Sequence, residues 1–149
     1  MVTNFWMQKR RVASGAYYRY NYPYTNWNDP GEYLAYRDAN NNMWAVYTDT
    51  TGSTSAPTGS IWVSCTAARR GKADISACTT TTEIVTVFKN AFNALSGIST
   101  YFNFYTEVID TVDFLSCQLV IPKTFAYGDA RAWLYDDSTS WEITSTGVV

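Results

Sequence analysis

Glu107, Asp110 and Asp113 stand close together in the chain. A pair of carboxyls about 5 to 9 Å apart over an aromatic floor is the arrangement that hydrolyses glycosidic bonds, and Phe, Trp and Tyr make up 17% of the residues. Acids around a hairpin turn are more often solvated turn formers, so a small carboxylate-dependent glycoside hydrolase is the third of three functional readings. Asp129, Asp136 and Asp137 offer the oxygen ligands calcium takes, but no D-x-D-x-D-G loop gathers them. The chain has no histidine, which removes Ser-His-Asp and Cys-His mechanisms, histidine-containing zinc sites and the usual general base at neutral pH. Gly71-Lys72 lacks the upstream glycine spacing and the following Ser or Thr of a phosphate-binding loop. No catalytic residue, cofactor or metal ligand is therefore expected, and the chain is read as a non-enzyme.

Three cysteines, Cys65, Cys78 and Cys117, cannot all pair within one chain, and none forms a C-x-x-C. They are expected as small, mostly buried thiols. A Cys65–Cys78 bridge requires that the two face each other across a hairpin.

The remaining chemistry is recognition. Tyr22, Tyr24, Trp27 and Asn28 cluster in an aromatic stretch, and Lys9-Arg10-Arg11 and Arg69-Arg70-Gly71-Lys72 are basic runs. Bases plus aromatic faces form the physical recipe for single-stranded nucleic acid, but a pI near 4.9 argues against that partner. Aromatic platforms flanked by Asn and Asp also suit a glycan. The commoner use of Tyr and Trp is contact between protein subunits. The residues expected at such an interface are Phe5, Trp6, Arg10, Arg11, Tyr22, Tyr24, Trp27, Arg69 and Arg70.

The charge distribution supports this reading. Met1 to Lys72 carries a net +4 and Ala73 to Val149 a net −6. If the two parts occupy different faces, the positive surface of one subunit meets the negative surface of the next, which favours a head-to-tail ring or stack.

The elements that would hold these residues follow from pattern. Ile84, Val87, Phe88, Ala91, Phe92 and Leu95 form one apolar stripe of a helix over Thr81 to Ser96. Thr80 and Glu83 provide a capping box, and Gly97 stands where a C-terminal cap is expected. Glu32 to Asp38 and Met43 to Thr48 predict a hairpin turned by Ala39-Asn40-Asn41-Asn42. Further strands are predicted near Ala16 to Tyr20, Ile61 to Ala67, Ala73 to Cys78, Ser99 to Val108, Phe114 to Ile121, Ala130 to Tyr135 and Trp141 to Thr144. The basic run 69–72 is then a turn between two of them. Residues 49–60 are Thr, Ser, Gly and Pro, too poor in apolar side chains to pack, and predict an exposed loop.

With 149 residues, 46% of them hydrophobic, the chain is long enough for one domain spanning 1–149 with a sizeable core. The predicted fold class is β-rich α+β, an antiparallel sheet or meander packed against one main helix. Phe5, Trp6 and Met7 are costly to leave in water, so residues 1–12 are expected as an extended arm lying on a neighbour. The start lacks the order of a signal peptide, and no apolar run approaches the roughly 18 residues of a membrane span.

No motif names a family. The profile, histidine-free, poor in Lys and rich in Thr, Asn and Tyr, resembles that of the small structural subunits of virus particles, tailed phages in particular. That resemblance implies a virion protein of a capsid, connector or tail, assembled in the host cytoplasm from copies of itself and other structural subunits. A carbohydrate-binding or adhesive module is the second reading, with a glycan as partner.

Overall fold

In the computed structural model the described residues are 11–12, 17–21, 33–38, 40–120, 123–124, 134–136 and 142–146. Along the chain run β1 (Arg11–Val12), β2 (Tyr17–Asn21), β3 (Tyr33–Arg37), β4 (Met43–Asp49), α1 (Ser60–Ser64), β5 (Arg70–Asp74), α2 (Thr81–Asn93), β6 (Phe102–Ile109), β7 (Val112–Leu119), β8 (Lys123–Thr124), β9 (Leu134–Asp136) and β10 (Glu142–Thr146). One four-stranded sheet has the order β5-β4-β3-β9, a second β10-β2-β7-β6, and β1 pairs with β8. The α+β class with one main helix holds. The expected meander does not hold throughout, because β5 lies parallel to β4 and is reached by a crossover through α1.

The helix forms where its stripe places it. Thr80 Oγ1 accepts from the Glu83 N–H at 3.2 Å, and the Glu83 carboxylate accepts from the Thr80 N–H at 3.0 Å and the Thr79 N–H at 2.6 Å. This reciprocal cap satisfies N–H groups that a first turn otherwise leaves open. The helix ends at Asn93, three residues earlier than expected, and Gly97 takes a left-handed φ of 84° to start a 3-10 turn at Ile98–Thr100. Ile84, Val85, Phe88 and Phe92 are buried, and Val87 and Ala91 pack at the margin.

Both faces of β3 and β4 are covered, so they are buried almost without interruption. Leu34, Tyr36, Trp44 and Val46 face α2, together with Phe102, Phe104, Leu115 and Cys117 of the second sheet. Tyr33, Ala35, Met43 and Ala45 face the other way and are covered by Trp62 and Cys65. That cover corrects the strand expected over Ile61 to Ala67. Trp62 and Cys65, three apart, fall on one side of a single helical turn, while Val63 and Ser64 face solvent. Packing of Trp62 against Tyr33 and Tyr47 overrides the strand preference of Ile, Trp and Val.

The predicted basic turn is also corrected. Ala67–Arg69 form a 3-10 turn, and Arg70, Gly71 and Lys72 are strand residues. A Cβ on Gly71 would lie 3.2 Å from Val46 Cγ2 and 3.3 Å from Leu95 Cδ2, so this glycine permits close approach of α2 and is not a turn former. The strand expected to continue to Cys78 stops at Asp74, whose carboxylate accepts from the N–H and hydroxyl of Ser76.

At the β6–β7 hairpin Ile109 pairs with Val112, leaving the two-residue loop Asp110-Thr111 with φ values of 50° and 67°. That is the conformation for which Asp-Gly is preferred, and a β-branched residue at the second position is strained. Thr111→Gly should therefore stabilise by about 0.5 to 1 kcal/mol, read as a higher denaturation midpoint. Phe88, with no exposed surface, should cost about 3 to 5 kcal/mol when cut to Ala, and an unchanged midpoint would contradict its place in the core.

Candidate functional site

Glu107 and Asp113 belong to neighbouring antiparallel strands, yet they do not converge. Asp113 is opposite Val108, and Glu107 is opposite Phe114. Directly paired residues share a face and successive residues alternate, so the two carboxyls point to opposite sides of the sheet. Asp113 receives the hydroxyls of Thr81, at 2.5 Å, and Thr82, at 3.0 Å, and so ties the start of α2 to β7. Glu107 accepts from the Ser116 hydroxyl, and Asp110 is a turn residue. Asp136 lies in β9 opposite Leu34, while Asp129 and Asp137 are outside the described residues. Among the described residues no group of three or more Cys, Asp or Glu is placed to hold a metal ion.

All three thiols are free. Cys65 belongs to the cluster on the α1 side of the sheet and Cys78 packs at the margin of the core on the α2 side, which explains why they are not bridged. Burial pushes the Cys65 thiol up to about 11 and also raises Cys78 and Cys117. None is tuned to act as a thiolate at neutral pH.

Of the residues expected at an interface, Phe5, Trp6, Arg10, Tyr22, Tyr24 and Trp27 lie outside the described residues, as does Asn28. Arg11 is in β1 opposite Thr124. Arg70 is engaged within the chain: its Nε donates to the Cys65 carbonyl at 2.6 Å and its guanidinium lies 5.5 Å from the Trp62 ring centre. Arg69 takes a different course and lies over Trp44, 5.5 Å from that ring centre.

Trp44 leads to a group of residues that sequence reasoning missed. The buried Asp38 carboxylate accepts from the N–H groups of Asn40 and Asn42 at 2.8 and 3.0 Å, and from the indole N–H of Trp44 at 2.8 Å. Asn41 supplies the left-handed residue of this turn, with φ 64°, as the run of asparagines suggests. Asn40 donates to the Tyr101 hydroxyl at 2.9 Å, and the Trp44 and Tyr101 rings are 6.2 Å apart. The β3–β4 turn, the turn before β5 and the turn after α2 thereby border an open cleft of about 360 Å³. An Asp followed by Asn-rich turn residues and a Trp was the available signal. Nothing in the sequence placed Arg69 or Tyr101 beside it.

No protein-family model, curated protein or solved structure matches this chain. No helix among the described residues is long and apolar enough to cross a membrane.

Among the described residues the two four-stranded sheets end at β5 and β9 and at β10 and β6. The β5 edge carries Lys72, whose ammonium pairs with Asp49 at 2.8 Å. The β6 edge reads Phe-Asn-Phe-Tyr-Thr-Glu-Val-Ile and carries no Lys, Pro or Gly. Its Val108 is 68% exposed.

Asp49 also anchors the loop 49–60, whose side chains are mostly exposed. Its carboxylate accepts from the N–H groups of Thr51 and Thr54 at 3.1 and 3.0 Å. Burial by itself would raise the Asp49 pKa, but Lys72 and the Thr54 and Thr51 donors outweigh it and hold the group well below the usual carboxylate range. A depressed folded pKa contributes stability above the unfolded value of about 3.9 and loses it as pH falls toward the folded value. The thermal midpoint should accordingly fall between about pH 5 and pH 2, and Asp49→Asn should lower stability at pH 6 while flattening that acid limb. A variant that retained the full wild-type acid dependence would place its origin in other carboxylates.

Proposed function

We propose that the chain is a non-enzymatic structural subunit that self-assembles, of the kind that builds a virion such as a tailed-phage capsid, connector or tail. The observation that carries this reading is the open stretch of the β6 edge beyond Asn93. Natural sheets guard an exposed edge with charged side chains, Lys above all, with Pro, a bulge or a covering element, because its unpaired N–H and C=O groups invite another strand. The eight residues of β6 include no Lys or Pro, and their one charged side chain, Glu107, is engaged by the Ser116 hydroxyl.

The phase of the strand identifies the outward groups. The Tyr101 carbonyl accepts from the Val120 N–H on the β7 side, and the Phe104 carbonyl accepts from the Asn93 side chain on the opposite side. Antiparallel alternation then directs the backbone groups of Thr106 and Val108 outward. Beyond the reach of Asn93, these residues offer a second copy two strand positions for pairing, with the exposed Val108 side chain as its apolar contact.

The carboxylates bear on the non-enzymatic half of the reading. Asp113 anchors α2, Asp38 fastens a turn and Asp49 fastens a loop. Asp49, Asp74 and Glu83 are all held below their ordinary values by hydrogen bonds that overcome any effect of burial. A general acid at neutral pH needs the opposite shift.

Native mass by light scattering tests the proposal. The wild-type chain should run as an oligomer, and Thr106→Pro, which removes an outward N–H without touching the β6–β7 ladder, should shift it to monomer, as should Val108→Lys. Circular dichroism should be unchanged in both. A monodisperse wild-type monomer at high concentration, or variants that assemble like wild type, would overturn the β6 assignment.

A further inference from the structure

We propose that the cleft beside Trp44 binds a neutral saccharide. Its lining is rich in polar side chains. Among the described residues Asn42, Thr66, Arg69, Ser96 and Thr100 border it, and their side chains make no hydrogen bond or ion pair there. Tyr101, half-buried, supplies the aromatic surface. At about 360 Å³ the cleft lies at the small end of ligand sites, large enough for a sugar unit and open enough for a chain to continue outward.

Two features make it a prepared site. Arg69 is held over the face of Trp44, and Trp44 is itself fixed by its indole N–H to Asp38. The guanidinium therefore presents its donors from a settled position, which lowers the ordering cost of binding. Tyr101 is fixed in the same way, by Asn40 at its hydroxyl and by Trp44 beside its ring. Its face can receive the C–H side of a pyranose, whose hydrogens carry partial positive charge, against the negative quadrupole face of the ring. Trp44 cannot do this, being 4% exposed and covered by Arg69.

Charge selects among ligands. The Arg69 cation and the Asp38 carboxylate border the same cleft. An anion gains Arg69 but meets Asp38, while a cation meets Arg69. A neutral ligand with many hydroxyls satisfies the guanidinium, hydroxyl and amide groups without an unpaired charge.

The test is a glycan array of neutral glucose-, galactose- and mannose-terminated oligosaccharides beside sialylated and uronate-bearing ones, followed by saturation-transfer NMR on the hits with the full chain. Neutral glycans should bind saturably, with acidic ones no tighter. Tyr101→Ala should weaken binding at least tenfold. Thr100→Trp, which fills the cleft from an exposed position, should abolish it with unchanged circular dichroism and so covers the case in which the tyrosine variant unfolds. The β6 variant Thr106→Pro should still bind, because the inference does not depend on self-assembly. Lack of saturable binding to any neutral glycan, tighter binding of acidic glycans, or wild-type binding by Thr100→Trp would each overturn it.

Discussion

The strands β3 and β4 must be dry on both sides, and the rest of the described structure follows from that constraint. Their residues offer almost no polar face, so each side of the sheet needs a cover of its own. On one side α2 brings Phe88 and Phe92, and Tyr36 stands edge-on to both Phe92 and Phe104, at 5.4 and 5.1 Å. Phe92 and Phe104 stack at 4.3 Å with nearly parallel planes. Three aromatic rings thus join a strand of one sheet, the helix and a strand of the other sheet. On the other side the cover is thin: a five-residue helix whose Trp62 seals the sheet, held at its backbone N–H by the Tyr33 hydroxyl at 3.3 Å.

Legibility in the sequence followed the range of the interactions. The α2 stripe and its Thr80–Glu83 box are local, and the helix came out where they indicated, apart from its last turn. The β3–β4 hairpin and the Asp110-Thr111 turn were equally local. Errors arose where a distant partner decided. Ile61-Trp62-Val63 carries strand preference, but the surface it had to cover needed a helical turn. Arg70-Gly71-Lys72-Ala73 alternates large charged residues with small ones, which is a strand pattern matched to a helix packed close on one side. Gly71 between basic residues suggested a turn because the helix that approaches it was still to come in the chain. The cleft was illegible for the same reason: Asp38, Arg69 and Tyr101 come from three separate stretches, and only the packing of α2 against the sheet brings them together.

The polar groups divide into two kinds. Asp38, Asp49, Asp113, Arg70 and Lys72 are tied to the chain's own backbone or side chains and maintain its shape. Arg69 and the hydroxyls of Thr66, Ser96 and Thr100 are held at a concave surface with capacity left over. The β6 edge adds backbone capacity of a different sort. The two surfaces proposed for recognition, a strand edge and a cleft, are built on a framework whose charged groups are largely occupied among the described residues.

The strand order has a kinetic consequence. β2, near the start of the chain, sits between β7 and β10, pairing Tyr18 with Cys117 and Ser145. Its two neighbours are made roughly a hundred residues later, so this sheet has high contact order and forms slowly. During synthesis β3 through β5 and α2 are complete before β7 emerges, and β10 follows β7 in the chain. β2 must then wait with both of its edges unpaired until β7 is made, and with one edge open until β10 follows, in a crowded polysome where neighbouring chains carry the same strand. Premature association of nascent chains is a hazard of this topology, and slower translation between β7 and β10 would lengthen the exposure.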